Sequence, residues 1–324
     1  MRVTGQLDAG AVHTLEGILW KKAIAMSHPL TLSTALLLVV PPLLWASNAI
    51  VGRLVIDLVP PITLNFLRWT IALFILLPFA SSIYRRGSGL LTHWRRYAVL
   101  GLLGVGMYNA LQYLALRTSS PINVTLVAAS MPVWMLGVGS MFFGVHVTLR
   151  QVIGAVLSIL GVLFVLSRGD WEGLLALRLV PGDLFMLLAT VAWSVYSWLL
   201  TRGQDEAAIR ATWATFLLAQ VSFGVVWSGV FAAGEWAWSD VQITWNAPLA
   251  LALLYVATFP SLVAFRAWGI GVQRVGPNVA AFFNNLTPLF AALMSLAVLG
   301  ERAHLYHVTA FALIVGGIAV SARR

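Results

Sequence analysis

Residues 121–144 read PINVTLVAASMPVWMLGVGSMFFG, and residues 277–300 read PNVAAFFNNLTPLFAALMSLAVLG. One offset of 156 residues aligns them, pairing Pro121 with Pro277, Pro132 with Pro288 and Gly144 with Gly300. The same offset carries into the next segment, where Gly161 pairs with Gly317 and Arg168 with Arg324. Each stretch is free of charge and meets the roughly 20 apolar residues that cross a bilayer. A fixed-period repeat sets the plan of a chain before any local reading does.

Working outward, Trp45 pairs with Trp193 at a slightly shorter offset, which divides the chain into halves at 33–168 and 182–324. Charge-free runs place helices near 33–53, 60–80, 97–116, 121–143, 149–167, 182–201, 209–233, 248–270, 277–299 and 304–322. Five helices per half is an odd number, so the second half enters the membrane in the opposite sense, a plan that recurs in secondary transporters. The expected fold is an all-α integral membrane protein of ten transmembrane helices built as two inverted five-helix repeats.

Composition agrees. Of the 324 residues, 60% are hydrophobic and 10% charged, against about 25% charged in soluble domains. This excludes a soluble globule, a disordered chain and a nucleic-acid-binding domain, despite the net charge of +9. The chain has no cysteine, which excludes disulfides, thiolate metal sites and thiol nucleophiles. Thirteen Lys and Arg fall on the side of the termini and five on the other (Arg53, Arg117, Arg168, Arg178, Arg302), with Arg68 and Arg266 inside spans. The positive-inside rule then puts both termini in the cytoplasm, in a plasma (inner) membrane. Residues 1–32 read as a cytoplasmic tail. Within it Leu15–Met26, with Lys21 and Lys22, reads as a short surface helix, and Met26 is an alternative start of translation. Trp236, Trp238 and Trp245 read as an interface belt in the loop between helices 7 and 8.

The repeats also carry a resemblance. Pro132-Val-Trp, Gly144 and Gly154…Gly161 resemble the second half of an EamA domain, as do Pro288-Leu-Phe, Gly300-Glu301 and Gly316-Gly317. Trp45-Ala-Ser-Asn48 with Arg53, then Phe66-Leu-Arg68-Trp69, resemble the first half. The chain is thus similar to two-EamA-domain members of the drug/metabolite transporter superfamily over residues 33–322, with the aromatic amino acid exporters as the branch in view. Gly144-Val145 and Ala310 depart from the family pattern. The resemblance implies solute export by alternating access, with a small-molecule substrate and a lipid bilayer as partners. Monomer and weak homodimer both stay open; Gly154-xxx-Ser158 in helix 5 reads as packing between the repeats.

The residue inventory limits the chemistry. Signatures such as HExxH and GxSxG are absent, and no Asp or Glu falls in the middle of a span. The expectations are no enzyme activity, no metal, no cofactor and no proton relay. What the spans offer is aromatic and amide groups: Trp45 and Asn48 in helix 1, Tyr108 and Gln112 in helix 3, Trp134 in helix 4, Trp193 and Tyr196 in helix 6, Tyr255 in helix 8, Asn284 and Asn285 in helix 9. Together they describe an uncharged cavity with aromatic walls. Arg68, eight residues into helix 2, is either a carboxylate or phosphate contact or a structural group bonded to backbone carbonyls or snorkelling outward. Pro132 and Pro288, related by the repeat, read as hinges. The leading function is export of aromatic or neutral amino acids and related metabolites without proton coupling. The alternatives are a multidrug or quaternary-cation exporter, a nucleotide-sugar or sugar-phosphate exchanger and, from another class, a channel or membrane scaffold.

Overall fold

The computed structural model describes residues 29–55, 57–119, 121–168, 170, 172, 180–203, 205–239, 242–299 and 304–323. The tail with Leu15–Met26, and Glu301, lie outside the described residues. The described residues form ten helical spans: α1 (Leu32–Leu54), α2 (Pro61–Ala80), α3 (Trp94–Thr118), α4 (Pro121–Ala129 and Met131–Phe143), α5 (Leu149–Ser167), α6 (Pro181–Leu200), α7 (Trp213–Trp238), α8 (Ala247–Val275), α9 (Pro277–Phe283 and Leu286–Leu299) and α10 (Leu305–Ala322). Nine are long and apolar enough to cross a membrane, with α4 broken at Ser130, and α9 is interrupted at Asn284-Asn285. Large apolar side chains such as Leu36, Phe74, Phe79, Leu188, Val226 and Phe311 point outward from the bundle, as a lipid-facing surface requires.

Local sequence explains where the spans begin. Pro61, Pro181 and Pro277 sit in the first turn of their helices, where a missing N–H removes nothing. Thr148 and Thr212 cap α5 and α7 through their side-chain oxygens, which accept from Gln151 and Thr215 amides. Gly144 ends α4 at φ 63°, a left-handed cap.

Helices α5 and α10 cross where glycines meet. A Cβ on Gly154 would lie 2.7 Å from the Gly317 carbonyl oxygen, and one on Gly317 would lie 2.6 Å from that of Gly154. Gly154 and Ser158 therefore pack one repeat against the other. Close backbone approach of this kind stands in for the hydrophobic drive that lipid removes.

The backbone repeats its irregularities as well as its prolines. α3 contains a π-helical stretch at Gly101–Met107 and α8 one at Ala257–Val263. These segments are related by the same 156 residues that relate Pro121 to Pro277. The breaks in α4 and α9 fall just before Pro132 and Pro288.

The structure moves boundaries at α7, which begins at Trp213 rather than 209, and at α8, which runs on to Val275. α7 runs to Trp238 and takes Trp236 and Trp238 out of the loop. The charge at Glu235 does not stop the helix because another helix end solvates it. Its carboxylate accepts from the Thr63 amide at 2.8 Å, the Ile62 amide at 3.3 Å and the Thr63 hydroxyl at 2.8 Å, all in the first turn of α2. A carboxylate at a helix N-terminus is held by free amides and by the helix dipole.

Candidate functional site

Five helices bring seven rings together around Trp193 of α6, which is 2% exposed. Its ring centroid lies 5.2 Å from Trp45 of α1, 5.1 Å from Tyr108 of α3, 5.0 Å from Tyr196, 5.4 Å from Phe265 and 5.6 Å from Trp268 of α8. Trp69 of α2 joins through Phe265, at 4.8 Å. The geometries are T-shaped or tilted, each worth about 0.5–1.5 kcal/mol beyond area burial. The Trp45 indole donates to the Pro260 carbonyl at 3.2 Å, an acceptor in the π segment of α8, and the Trp268 indole donates to Ser197 Oγ at 3.1 Å.

A cavity of about 260 Å³ leads to this cluster. Tyr196 and Phe265 form its floor, with Gln220, Trp213, Arg210 and Arg266 along its walls. Thr212, before the start of α7, and Gln273, near the end of α8, also line it. The cavity therefore opens at the face where α1 begins and α10 ends, called here the terminal face. Gln220 Oε1 accepts from the Tyr196 hydroxyl at 3.0 Å. No Asp or Glu lines the cavity among the described residues. Arg210 lies 3.8 Å over the Phe216 ring and Arg266 lies 5.0 Å over the Trp213 ring, so the wall is cationic and aromatic.

Near the mouth, Asp205 ties the α6–α7 connection to α3. It accepts from Arg96 Nε at 2.7 Å, Arg210 Nε at 2.7 Å and the Tyr97 hydroxyl at 2.9 Å. Burial pushes the Asp205 carboxyl up, but the hydrogen bonds and charge of Arg96, with Arg210 and Tyr97, outweigh it and hold the group below the ordinary carboxylate range.

Beyond the floor lies Arg68, 1% exposed. Its Nε donates to Ser261 Oγ of α8 at 2.9 Å and a terminal nitrogen donates to Asn48 Oδ1 of α1 at 3.3 Å, with the Tyr113 hydroxyl of α3 close by. Neither expected structural arrangement is found: the guanidinium neither snorkels nor rests on a neighbouring helix's carbonyls. Its hydrogen-bond partners are neutral side chains, and no ion pair reaches it among the described residues.

Of the residues singled out from sequence, Trp45, Tyr108, Trp193 and Tyr196 meet in the cluster, and Asn48 and Arg68 meet beside it. Tyr255 bonds Ser47 Oγ of α1 at 2.6 Å. Asn284 and Asn285 face other helices, at Met131 Sδ (2.6 Å) and Ser158 Oγ (2.8 Å). Gln112 and Trp134 are half-buried outside the ring cluster, and the Trp134 indole donates to Ser130 one turn earlier. Sequence reasoning missed Trp69, Phe265 and Trp268. The repeat held a signal for two of them, because 156 residues carry Asn109 and Gln112 of α3 onto Phe265 and Trp268 of α8.

Comparison with known proteins places this geometry. Residues 32–167 and 180–323 each match the EamA-like transporter family. The aromatic amino acid exporter YddG of Ancylobacter novellus is 28% identical over 86% of this chain and 93% of its own length. An uncharacterized transporter of Archaeoglobus fulgidus is 26% identical over 88% of this chain and 96% of its own. The uncharacterized inner membrane transporter YedA of Escherichia coli (strain K12) is 26% identical over 80% of both. A solved crystal structure shares the fold with a TM-score of 0.68 at 24% identity, covering 89% of this chain and 96% of that one.

Proposed function

The chain belongs to the EamA-like transporter family, and from that membership we propose that it exports aromatic or bulky neutral amino acids and related metabolites by alternating access. The observation that carries this reading is the floor of the cavity: a polar-mouthed opening ends on a cluster of seven rings with Trp193 at its centre. At about 260 Å³ the cavity falls just below the size of ligand pockets, which span roughly 300–1,000 Å³. The cytoplasm lies at the terminal face, so the cavity is the loading side. The repeats 33–168 and 182–324 move against one another, hinged where α4 and α9 break before Pro132 and Pro288. The unit is a monomer or a weak homodimer. YddG, named an aromatic amino acid exporter, supports the same substrate class.

A quaternary-cation exporter would use the same rings through cation–π contact. Arg210 and Arg266 on the walls, with no acid lining the cavity among the described residues, disfavour a cationic substrate. Among the described residues, the buried acids and histidine at the ends of the spans are already engaged: Asp183 accepts from Ser119, Asn123 and the Val180 amide, Glu235 caps α2 and pairs with Arg117, and His307 Nδ1 accepts from the His304 amide. Transport therefore runs down the substrate's own gradient.

Counterflow in proteoliposomes, with labelled phenylalanine or tryptophan outside and a panel of amino acids, sugars and quaternary cations inside, tests the reading. Aromatic amino acids are expected to drive uptake, and collapsing the proton gradient is expected to leave it intact. Exchange of cations alone would overturn the substrate class, and strict dependence on a proton gradient would overturn the uncoupled mechanism.

A further inference from the structure

We infer that Arg68 recognises a carboxylate, so that the transported molecules are aromatic or bulky apolar carboxylates, zwitterionic or anionic. The inference rests on the export reading and narrows its substrate class.

Four observations converge. Arg68 is a buried guanidinium whose charge no Asp or Glu balances among the described residues. A buried charge held only by neutral groups is costly, and the guanidinium fork matches a carboxylate in a bidentate manner. Next, the guanidinium lies 5.5 Å from the Trp69 ring, and two unpaired donors lie in the ring cluster that Trp69 belongs to. The indole N–H groups of Trp69 and Trp193 are buried and have no acceptor among the described residues. Unpaired buried donors of this kind call for an acceptor to complete them.

Position adds a third argument. Phe265, on the cavity floor, and Ser261, which holds Arg68, are one turn apart on the same face of α8. Phe265 also touches both Trp69 and Trp193. A molecule that displaces Phe265 from the terminal face meets Arg68 next. Finally, the cavity that feeds this point is lined by Arg210 and Arg266 and, among the described residues, by no acid, which draws carboxylates in and repels amines. The ring of the substrate then takes the place of the Phe265 contacts, and its carboxylate lies between Arg68 and the two indole donors.

Arg68 could instead only tie α1, α2 and α8 together, in which case its removal weakens every substrate alike. The test is therefore a ratio. Calorimetric binding to the purified full chain in detergent compares phenylalanine and 3-phenylpropionate with phenylalaninamide and 2-phenylethylamine. Acids are expected to bind about tenfold or more tightly than their uncarboxylated partners, the scale of one charged hydrogen bond. Arg68→Gln is expected to shrink that ratio about severalfold, down to the preference that Arg210 and Arg266 alone impose. Equal binding of acid and amide to the unaltered protein overturns the inference, as does an unchanged ratio in folded Arg68→Gln. If that variant does not fold, Trp193→Phe decides: it keeps a ring and loses one donor, so the ratio is expected to narrow, and a full ratio counts against the assignment. Hexanoate and hexanamide are measured alongside. A failure of all aromatic amino acids to exchange removes the export reading, while the hexanoate ratio still decides the carboxylate.

Discussion

Helices α5 and α10 and helices α3 and α8 are both pairs related by the internal repeat, and they are built in opposite ways. α5 and α10 are uninterrupted α-helices, and Gly154 and Gly317 bring their backbones into contact. α3 and α8 each contain a π segment at the same repeat position, and α8 adds Pro260 there. The π segment of α8 supplies Ser261 and the Pro260 carbonyl to Arg68 and Trp45. Irregular backbone survives at membrane depth only where other polar groups satisfy it or a cavity wets it. The contrast sets a close-packed glycine crossing in the first pair against an irregular backbone beside the ring cluster in the second.

Breaking the working region should have the largest effect. Trp193→Ala empties the centre of the ring cluster and is expected to destabilise the protein by about 3–5 kcal/mol, read as thermal unfolding in detergent. Next comes the scaffold. A methyl group on Gly317 lies 2.6 Å from a backbone oxygen, whereas one on Gly316 meets nothing within 4 Å. Gly317→Ala is expected to lose about 1–3 kcal/mol and Gly316→Ala nothing measurable; equal effects would mean that the glycine contact is not what holds the repeats together.

Asp205→Asn follows, at about 1–2 kcal/mol, between a buried charged hydrogen bond and an exposed ion pair. Because Arg96 and Arg210 hold the Asp205 carboxyl below its ordinary range against the opposing effect of burial, its stabilisation is complete above the unfolded pKa. It is lost as pH falls through the lower folded value. The difference between the two proteins should hold from about pH 5 to 8 and close below about pH 4. Glu235→Gln is expected to have the smallest effect, about 0.3–1 kcal/mol: Gln keeps an acceptor for the α2 amides and loses the charge at the helix end together with the half-exposed ion pair to Arg117 at 3.6 Å.

The spans and their pairing were legible because proline and glycine punctuate apolar sequence at a fixed offset. Four of the seven rings were legible for a cruder reason: Trp45, Tyr108, Trp193 and Tyr196 are large polar-edged aromatics inside spans. Phe265, Trp69 and Trp268 were not, since an aromatic in an apolar helix fits lipid as well as it fits a core. The environment of Arg68 was also beyond reach. Its partners Asn48 and Ser261 lie in two other helices, and nothing local in sequence announces a crossing. The π segments left only faint marks, the glycines at 101, 104 and 106 and the proline at 260.

The absence of cysteine makes the central claim directly measurable. Gly269 lines the cavity, and a Cβ there meets nothing within 4 Å. In Gly269→Cys, a membrane-impermeant maleimide should label the single thiol from the terminal face, and saturating phenylalanine or tryptophan should block that labelling. Labelling that proceeds at the same rate with and without aromatic amino acids would contradict the assignment of this cavity as their entry.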